Sequence, residues 1–399
     1  MTAQRLVHLD GLRGLAAFAV FACHFIQVFL PHVYYSSISE GHELYEQEFA
    51  TSPFNIVVNG NFAVCLFFVL SGYVLSARFL QNHDVANLRR LAAKRYLRLA
   101  LPALAAVLLA WTIQAFNGYS FGEALPVTKS GMKDTYATLL SFPEALWQGA
   151  IGAFFRDSWS LDPVLWTMQA ELSGSFLVFA MLALFSPGRR RCVVYGIAIL
   201  VFYNGYYLAF VLGVVLADLH VKHSGKDAPF PLILALLTLG IYFGSYPYYG
   251  AQQNIWAILP DVGSARKAVF YHIIGAFIII FVTCRFSEAR YVLTRSPFRF
   301  LGRISYSLYL VHFPLVCSLA TSVLLALLPQ FGYGGATAAS LIVSTPLVLA
   351  TATLFTVLVD EPATRLSDRF ANLLEPRSPA TLFSPADGTA NHIQKLAPG

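Results

Sequence analysis

The chain has 399 residues, 57% of them hydrophobic and only 12% charged, and its mean hydropathy is +0.60. Soluble domains carry about 25% charged residues, so the composition excludes an ordinary soluble protein and points to one that lives in lipid. The net charge of +6 does not call for nucleic acid, because basic loop residues that orient a chain across a membrane explain it more simply.

A membrane span needs roughly 20 mostly apolar residues. Such runs predict an all-α fold: a polytopic transmembrane helix bundle of about 10 spans within residues 1–370. The runs cover 12–30, 57–80, 97–116, 164–186, 191–204, 206–220, 230–249, 268–286, 300–328 and 337–359. The first, through "AAFAVFACHFIQVFL", is too long for the core of a cleavable signal and is expected to stay. The fifth and sixth are short and joined by "YNGYY", which leaves the count open between one tight hairpin and two fewer crossings. Residues 371–399 are rich in Pro, Ser and Ala and are expected to form a disordered cytoplasmic tail.

An even number of spans puts both termini on one side. With that side inside, the outer segments keep only Lys129, Lys133, Arg156, Arg266 and Lys267 of the 27 Lys and Arg. Basic residues favour the cytoplasmic side, so both termini are expected there. Loop 117–163 is the longest outer segment, with Trp147 and Trp159 where aromatic residues mark an interface. Its "FPEALWQGAIGAFF" reads as a surface-lying amphipathic helix. Cys23, Cys65, Cys192, Cys284 and Cys317 sit in or beside apolar runs without metal-like spacing. They are expected to be buried free thiols, with no disulfide framework and no metal site.

The stretch "HLDGLRGLAAFAVFACHF" places Arg13 and His24 inside the first span. Eleven residues rise about 16 Å along a helix and turn to within about 20° of the same direction. Arg13 then sits near the inner edge and His24 near mid-membrane, on one face. Either residue alone fits a structural role, the arginine snorkelling to headgroups and the histidine hydrogen-bonding in the core. Together they define a stripe facing the bundle, and an intramembrane ionisable group is by default a functional candidate.

Further along, "LGRISYSLYLVHF" brings His312 to about 18 Å from the inner edge, with Tyr306 and Tyr309 on or near its face. That stripe reads equally as a polar helix–helix contact or as site lining. Glu171 is expected in the outer third of the fourth span, able to hold a hydroxyl acceptor, orient a histidine or pair with an arginine. At the inner face, "RRLAAKRYLRLALP" projects Arg95 and Arg98 together at i, i+3. They signal topology or cradle phosphates, which a guanidinium fork matches in shape.

These stretches resemble, in order from about residue 6 to 370, the motifs of the membrane-bound acyltransferase family 3. "HLDGLRGLAAFAVFACHF" is similar to the family's first helix, with Arg, ten residues, then His; "GNFAVCLFFVLSGYVLSARF" to its second. "RYLRLALP" resembles its basic motif, "LWTMQAELSGSFLVF" its Trp-and-Glu helix, "LGRISYSLYLVHFPLV" its late Tyr-rich helix, and "VDEPATRLSDR" its usual end. The resemblance implies an acyl-CoA-dependent O-acyltransferase, with the donor arriving from the cytoplasm and a sugar, glycan or other small hydroxyl compound as acceptor. By motif position it implies His24 as catalytic histidine, Arg13 as its charged partner, Arg95 and Arg98 as the basic motif and Glu171 as the acid. Where the family often has two adjacent acids, Leu172 and Ser173 follow Glu171, so a role needing a second carboxylate is in doubt.

The chemistry agrees. A neutral histidine suits removal of a proton from a hydroxyl attacking a thioester. Acyl-CoA, with acetyl-CoA foremost, is expected as co-substrate rather than as a bound cofactor. The expected partners are that donor, a hydroxyl acceptor of carbohydrate type and the lipid bilayer, with no nucleic acid. The expected location is integral to a membrane, crossed many times, and in a bacterium this would be the plasma (inner) membrane. In the expected arrangement CoA phosphates meet the inner arginines, the thioester reaches His24, and Glu171 serves the acceptor beyond it. A proton-coupled transporter using His24, Glu171 and His312 as a relay is the alternative, against which the inner arginines and the missing internal repeat count.

Overall fold

A computed structural model describes residues 6–35, 42, 45–185, 191–222, 227–248, 251, 254–262 and 266–374. Among these, 85% are helical and none lies in a strand, as the hydropathy pattern predicts. The principal helices are α1 (Val7–Phe29), α2 (Gly60–Asn82), α3 (Val85–Ala115), α4 (Trp166–Phe185), α5 (Arg191–Phe202) and α6 (Tyr207–Lys222). They continue with α7 (Phe230–Gly244), α8 (Lys267–Arg285), α9 (Ser296–Leu315), α10 (Thr321–Phe355) and α11 (Glu361–Leu374). Six stretches are long and apolar enough to cross a membrane: α1, α2, α3, α8, the run 163–184 holding α4, and the run 296–374 holding α9 to α11. The shorter α5 and α7 are apolar too. The chain is an integral membrane protein with an all-α bundle.

Run 296–374 is too long for one crossing. At about 1.5 Å per residue it would extend far beyond a hydrocarbon core of about 30 Å. Gly332, with φ of 62°, breaks the helix inside α10, between the spans expected at 300–328 and 337–359. A left-handed backbone there favours glycine.

α3 begins twelve residues before the apolar run that announced it. Asp84 caps it by accepting from the Asn87 N–H, and the Arg, Lys, Leu and Ala that follow are good helix formers. Hydropathy locates the membrane-embedded part of a helix and is blind to its polar extension.

α1 packs against α9 at a glycine-on-glycine crossing. A Cβ added at Gly14 would lie 2.4 Å from the Gly302 nitrogen, and one at Gly302 would lie 2.4 Å from the Asp10 carbonyl oxygen. Small residues let membrane helices approach backbone to backbone. This crossing brings the side chains further along α1 and α9 into direct contact.

Cys192, expected buried, is exposed near the start of α5, while the other four cysteines are buried; all five are free. In the expected surface helix, Phe142–Trp147 is helical and capped by Ser141 and Glu144. The segment also packs inward, since a Cβ at Gly149 would sit 2.9 Å from the Leu104 Cα. The tail lies outside the described residues beyond Leu374, and α11 occupies its first four positions.

Candidate functional site

His24 and His312 meet at the centre of the bundle. His24 Nδ1 lies 2.8 Å from His312 Nε2, and His312 Nδ1 lies 2.9 Å from the Leu308 carbonyl oxygen. The rings stack with centroids 5.0 Å apart. A carbonyl only accepts, so His312 carries its proton on Nδ1 and its Nε2 is a bare acceptor. His24 must then donate from Nδ1, which leaves His24 Nε2 with a free lone pair. His312 is wholly buried, whereas His24 keeps part of its surface accessible. One histidine is therefore enclosed with both ring nitrogens engaged, and the other is partly accessible.

Toward the arginine-rich end, a cavity of about 150 Å³ is lined by Arg13, Ser71, Arg95, Arg98, Glu171, Tyr306 and Tyr309 among others. It holds every site residue expected from the sequence except the two histidines. Tyr309 closes its inner wall: its hydroxyl donates to the Val164 carbonyl at 2.8 Å and meets the Thr167 hydroxyl at 2.8 Å. Its ring lies 6.2 Å from that of His312. Arg13, Arg98 and Tyr306 also line an adjoining cleft of about 920 Å³ with Arg299, Arg303 and Arg365. The two spaces share Arg13, Arg98 and Tyr306 as a common wall.

Glu171 is not at the far end of the bundle from the arginines. It accepts from a terminal nitrogen of Arg95 in an ion pair and from the Ser71 hydroxyl at 2.6 Å. Arg95 also donates from Nε to Ser175 Oγ at 2.8 Å. Two offsets cause the correction. Thr167, at the start of α4, already touches Tyr309 at the level of the histidines, so Glu171 one turn on lies below them. Arg95, ten residues into α3, lies deeper than the edge of an apolar run.

Arg98 forms an ion pair with Asp360 and lies over the Tyr306 ring at 5.4 Å, and Lys94 pairs with Asp368 at 2.8 Å. Arg13 lies within electrostatic reach of Asp10, Glu171, Arg95 and Arg98. Arg95 and Arg98 are thus already held by carboxylates.

Sequence reasoning passed over several of these residues. Arg299, Arg303 and Arg365 read as topology signals, and nothing in an apolar pattern marks Ser71 or Thr167. Asp162 was also missed. It is wholly buried, and neither of its carboxylate oxygens has a hydrogen-bond partner among the described residues. Burial pushes this carboxyl well above the usual carboxylate range, opposed by the nearby Val164 N–H. An Asp directly before a Pro at the head of a membrane helix was the available signal.

The geometry is thus a polytopic helix bundle with two touching histidines and an arginine-lined cavity. Residues 6–359 match the family described as an acyltransferase domain, and the chain belongs to acyltransferase family 3. It is similar to Acyltransferase R4 of Phoma sp. (strain ATCC 20986 / MF5453), with 27% identity over 78% of this chain and 82% of that one. Acyltransferase clz18 of Cochliobolus lunatus is 25% identical over the same shares. O-acetyltransferase PaAT-1 of Phomopsis amygdali is 24% identical over 78% of this chain and 72% of its own. No solved structure matches. The protein is an integral membrane acyltransferase.

Proposed function

We propose that the protein transfers an acyl group from acyl-CoA to a hydroxyl of a small acceptor, with His24 Nε2 as general base. The observation that carries this is the hydrogen-bonded chain from Leu308 through His312 to His24, with Tyr309 standing between His312 and the arginine-lined cavity. The arginine-rich end faces the cytoplasm, with both termini, and the membrane is the plasma membrane. The phosphates of CoA occupy the cleft of Arg13, Arg98, Arg299, Arg303 and Arg365, because guanidinium forks match phosphate geometry. The pantetheine arm follows a path past Tyr306 and Tyr309.

His24 Nε2 takes the proton of the acceptor hydroxyl as its oxygen attacks the thioester carbonyl. The tetrahedral intermediate collapses, the carbon–sulfur bond breaks, and the departing thiolate takes the proton back as CoA–SH. No covalent enzyme intermediate is needed. While His24 is cationic, its Nδ1–H bond to His312 holds the ring in place and spreads the charge. Acetyl-CoA is the proposed donor, and the acceptor is a sugar or other compact hydroxyl compound, in keeping with a relative named an O-acetyltransferase. Glu171 holds Arg95 and Ser71 in the cavity wall and serves the donor end.

The test uses purified full-length protein in lipid nanodiscs, following release of CoA–SH from acetyl-CoA. Turnover by the wild type, with His24→Ala inactive yet still binding CoA, supports the reading. Full activity in a folded His24→Ala protein defeats it.

A further inference from the structure

With Glu171 claimed by Arg95, the acceptor's polar contacts must come from elsewhere. The outer loop supplies them. Asp162 lies within electrostatic reach of Tyr309 in α9 and of Cys317 just beyond it. Two residues on, the Val164 carbonyl accepts from Tyr309, whose ring lies 6.2 Å from that of His312. Tyr119 and Tyr136 are its other titratable neighbours. It occupies the N-cap position before Pro163 but makes no capping hydrogen bond with its side chain. A buried carboxyl with both oxygens unpartnered costs stability, and such groups call for an explanation.

Tyr136 offers a second, independent oddity at the same place. Its φ is 59°, a left-handed conformation that costs a bulky residue about 1–3 kcal/mol and that clusters at functional sites. Its hydroxyl is buried beside that of Tyr119, with no other hydrogen-bond partner among the described residues. Its ring stacks on Tyr119 with centroids 3.7 Å apart and lies 6.3 Å from Phe313, which in turn lies 5.1 Å from His24. The segment is pinned from both sides. Gln114 of α3 donates to the Thr138 carbonyl at 2.8 Å, and Ser130 donates to the Gln27 carbonyl of α1 at 2.9 Å. The Tyr136 ring is thus held against Phe313, which packs on His24.

We propose that Asp162 and Tyr136 form the acceptor subsite, binding a compact ring compound that carries a second hydroxyl and one apolar face. The Asp162 carboxyl and Tyr136 hydroxyl take the acceptor's non-reacting hydroxyl, and the aromatic rings of Tyr119, Tyr136 and Phe313 take its apolar face. The reacting hydroxyl is then presented to His24. This rests on the reading of His24 as base, and it adds what selects the acceptor. A sugar ring and an apolar cyclic diol share this chemistry.

The experiment measures acetyl transfer from acetyl-CoA to methyl α-glucoside, to cyclohexane-1,2-diol and to cyclohexanol, in wild type, Asp162→Asn and Tyr136→Phe. Expected is a KM for the preferred diol or glucoside raised at least tenfold by Asp162→Asn and about threefold by Tyr136→Phe, with the acetyl-CoA KM within twofold of wild type. Cyclohexanol, lacking a second hydroxyl, should lose far less. A parallel rise for cyclohexanol, or a loss of acetyl-CoA affinity, overturns the proposal. The glucoside and diol arms tell the two acceptor sources apart. Thermal stability supplies a readout independent of turnover: Asp162→Asn and Tyr136→Phe should melt no lower than wild type, because each keeps the side chain's shape and packing. A clear drop for both makes them structural and overturns the subsite. Wild-type protein that consumes no acetyl-CoA defeats the acyl-CoA reading instead, and the melting temperatures then decide the subsite alone.

Discussion

The arginine-lined and histidine-bearing regions of the bundle handle polarity in different ways. In the first, three cations pair with carboxylates: Arg95 with Glu171, Arg98 with Asp360, Lys94 with Asp368. The second has the hydrogen-bonded pair of His24 and His312 and the buried polar groups of Asp162 and Tyr136. On the proposed reading the difference follows from what each region would receive. A polyanionic ligand can exchange with carboxylates at low cost, because the charges it meets are already desolvated and positioned. A neutral hydroxyl needs a base with a bare lone pair, and a fixed charge nearby would protonate or reorient that base.

The sharpest way to break this contrast is to remove the base. His24→Ala should lower acetyl transfer by about 10²- to 10⁴-fold, the usual range for a general base, while CoA binding measured by calorimetry stays. Near wild-type kcat would show that the neutral chain is structural only.

Next comes the support. His312→Gln should lower kcat by about 10- to 100-fold, as loss of an orienting partner commonly does, with the acetyl-CoA KM unchanged. His24 would then be free to adopt the wrong tautomer. A change in KM alone, with kcat retained, would remove His312 from the mechanism.

At the other end, Glu171→Gln and Arg95→Gln probe the compensated charges. Both side chains are mostly buried, at 13% and 16% exposure, so each single change should destabilise more than the double. Thermal or denaturant unfolding of the four proteins should give a coupling of about 0.5–3 kcal/mol. Additive effects would mean that the pair is independent and the arginine end is not organised as described.

The smallest effect concerns pH. The Asp162 carboxyl is raised above its ordinary value by burial, so the folded protein holds this proton more tightly than the unfolded chain. That contribution is fully present below about pH 4, the ordinary carboxylate pKa, and is lost as pH rises toward the folded value. Asp162→Asn should therefore gain melting temperature relative to wild type as pH is raised from 4 upward. A difference that stays constant with pH would place Asp162 in a hydrated or paired environment.

The sequence by itself determined the class of fold, because a hydrocarbon solvent forces every backbone polar group into a helix and writes that demand as long apolar runs. It also determined the Arg13–His24 stripe, since spacing along one helix is set by helical rise alone, and it brought Tyr306, Tyr309 and His312 onto one face for the same reason. Where two helices meet is a different matter. The touch of His24 and His312 depends on Gly14 and Gly302 letting α1 and α9 close, and no periodicity within either helix encodes the other's register. Glu171 was misplaced because depth was counted from the edges of apolar runs, whereas α3 starts before its run and the head of α4 lies at the level of the histidines. Asp162 and Tyr136 sit in a loop, where neither period nor hydropathy says what is buried. Only the tertiary structure, by folding that loop against the bundle, decided that these two polar side chains would be buried near the helices that carry the histidines.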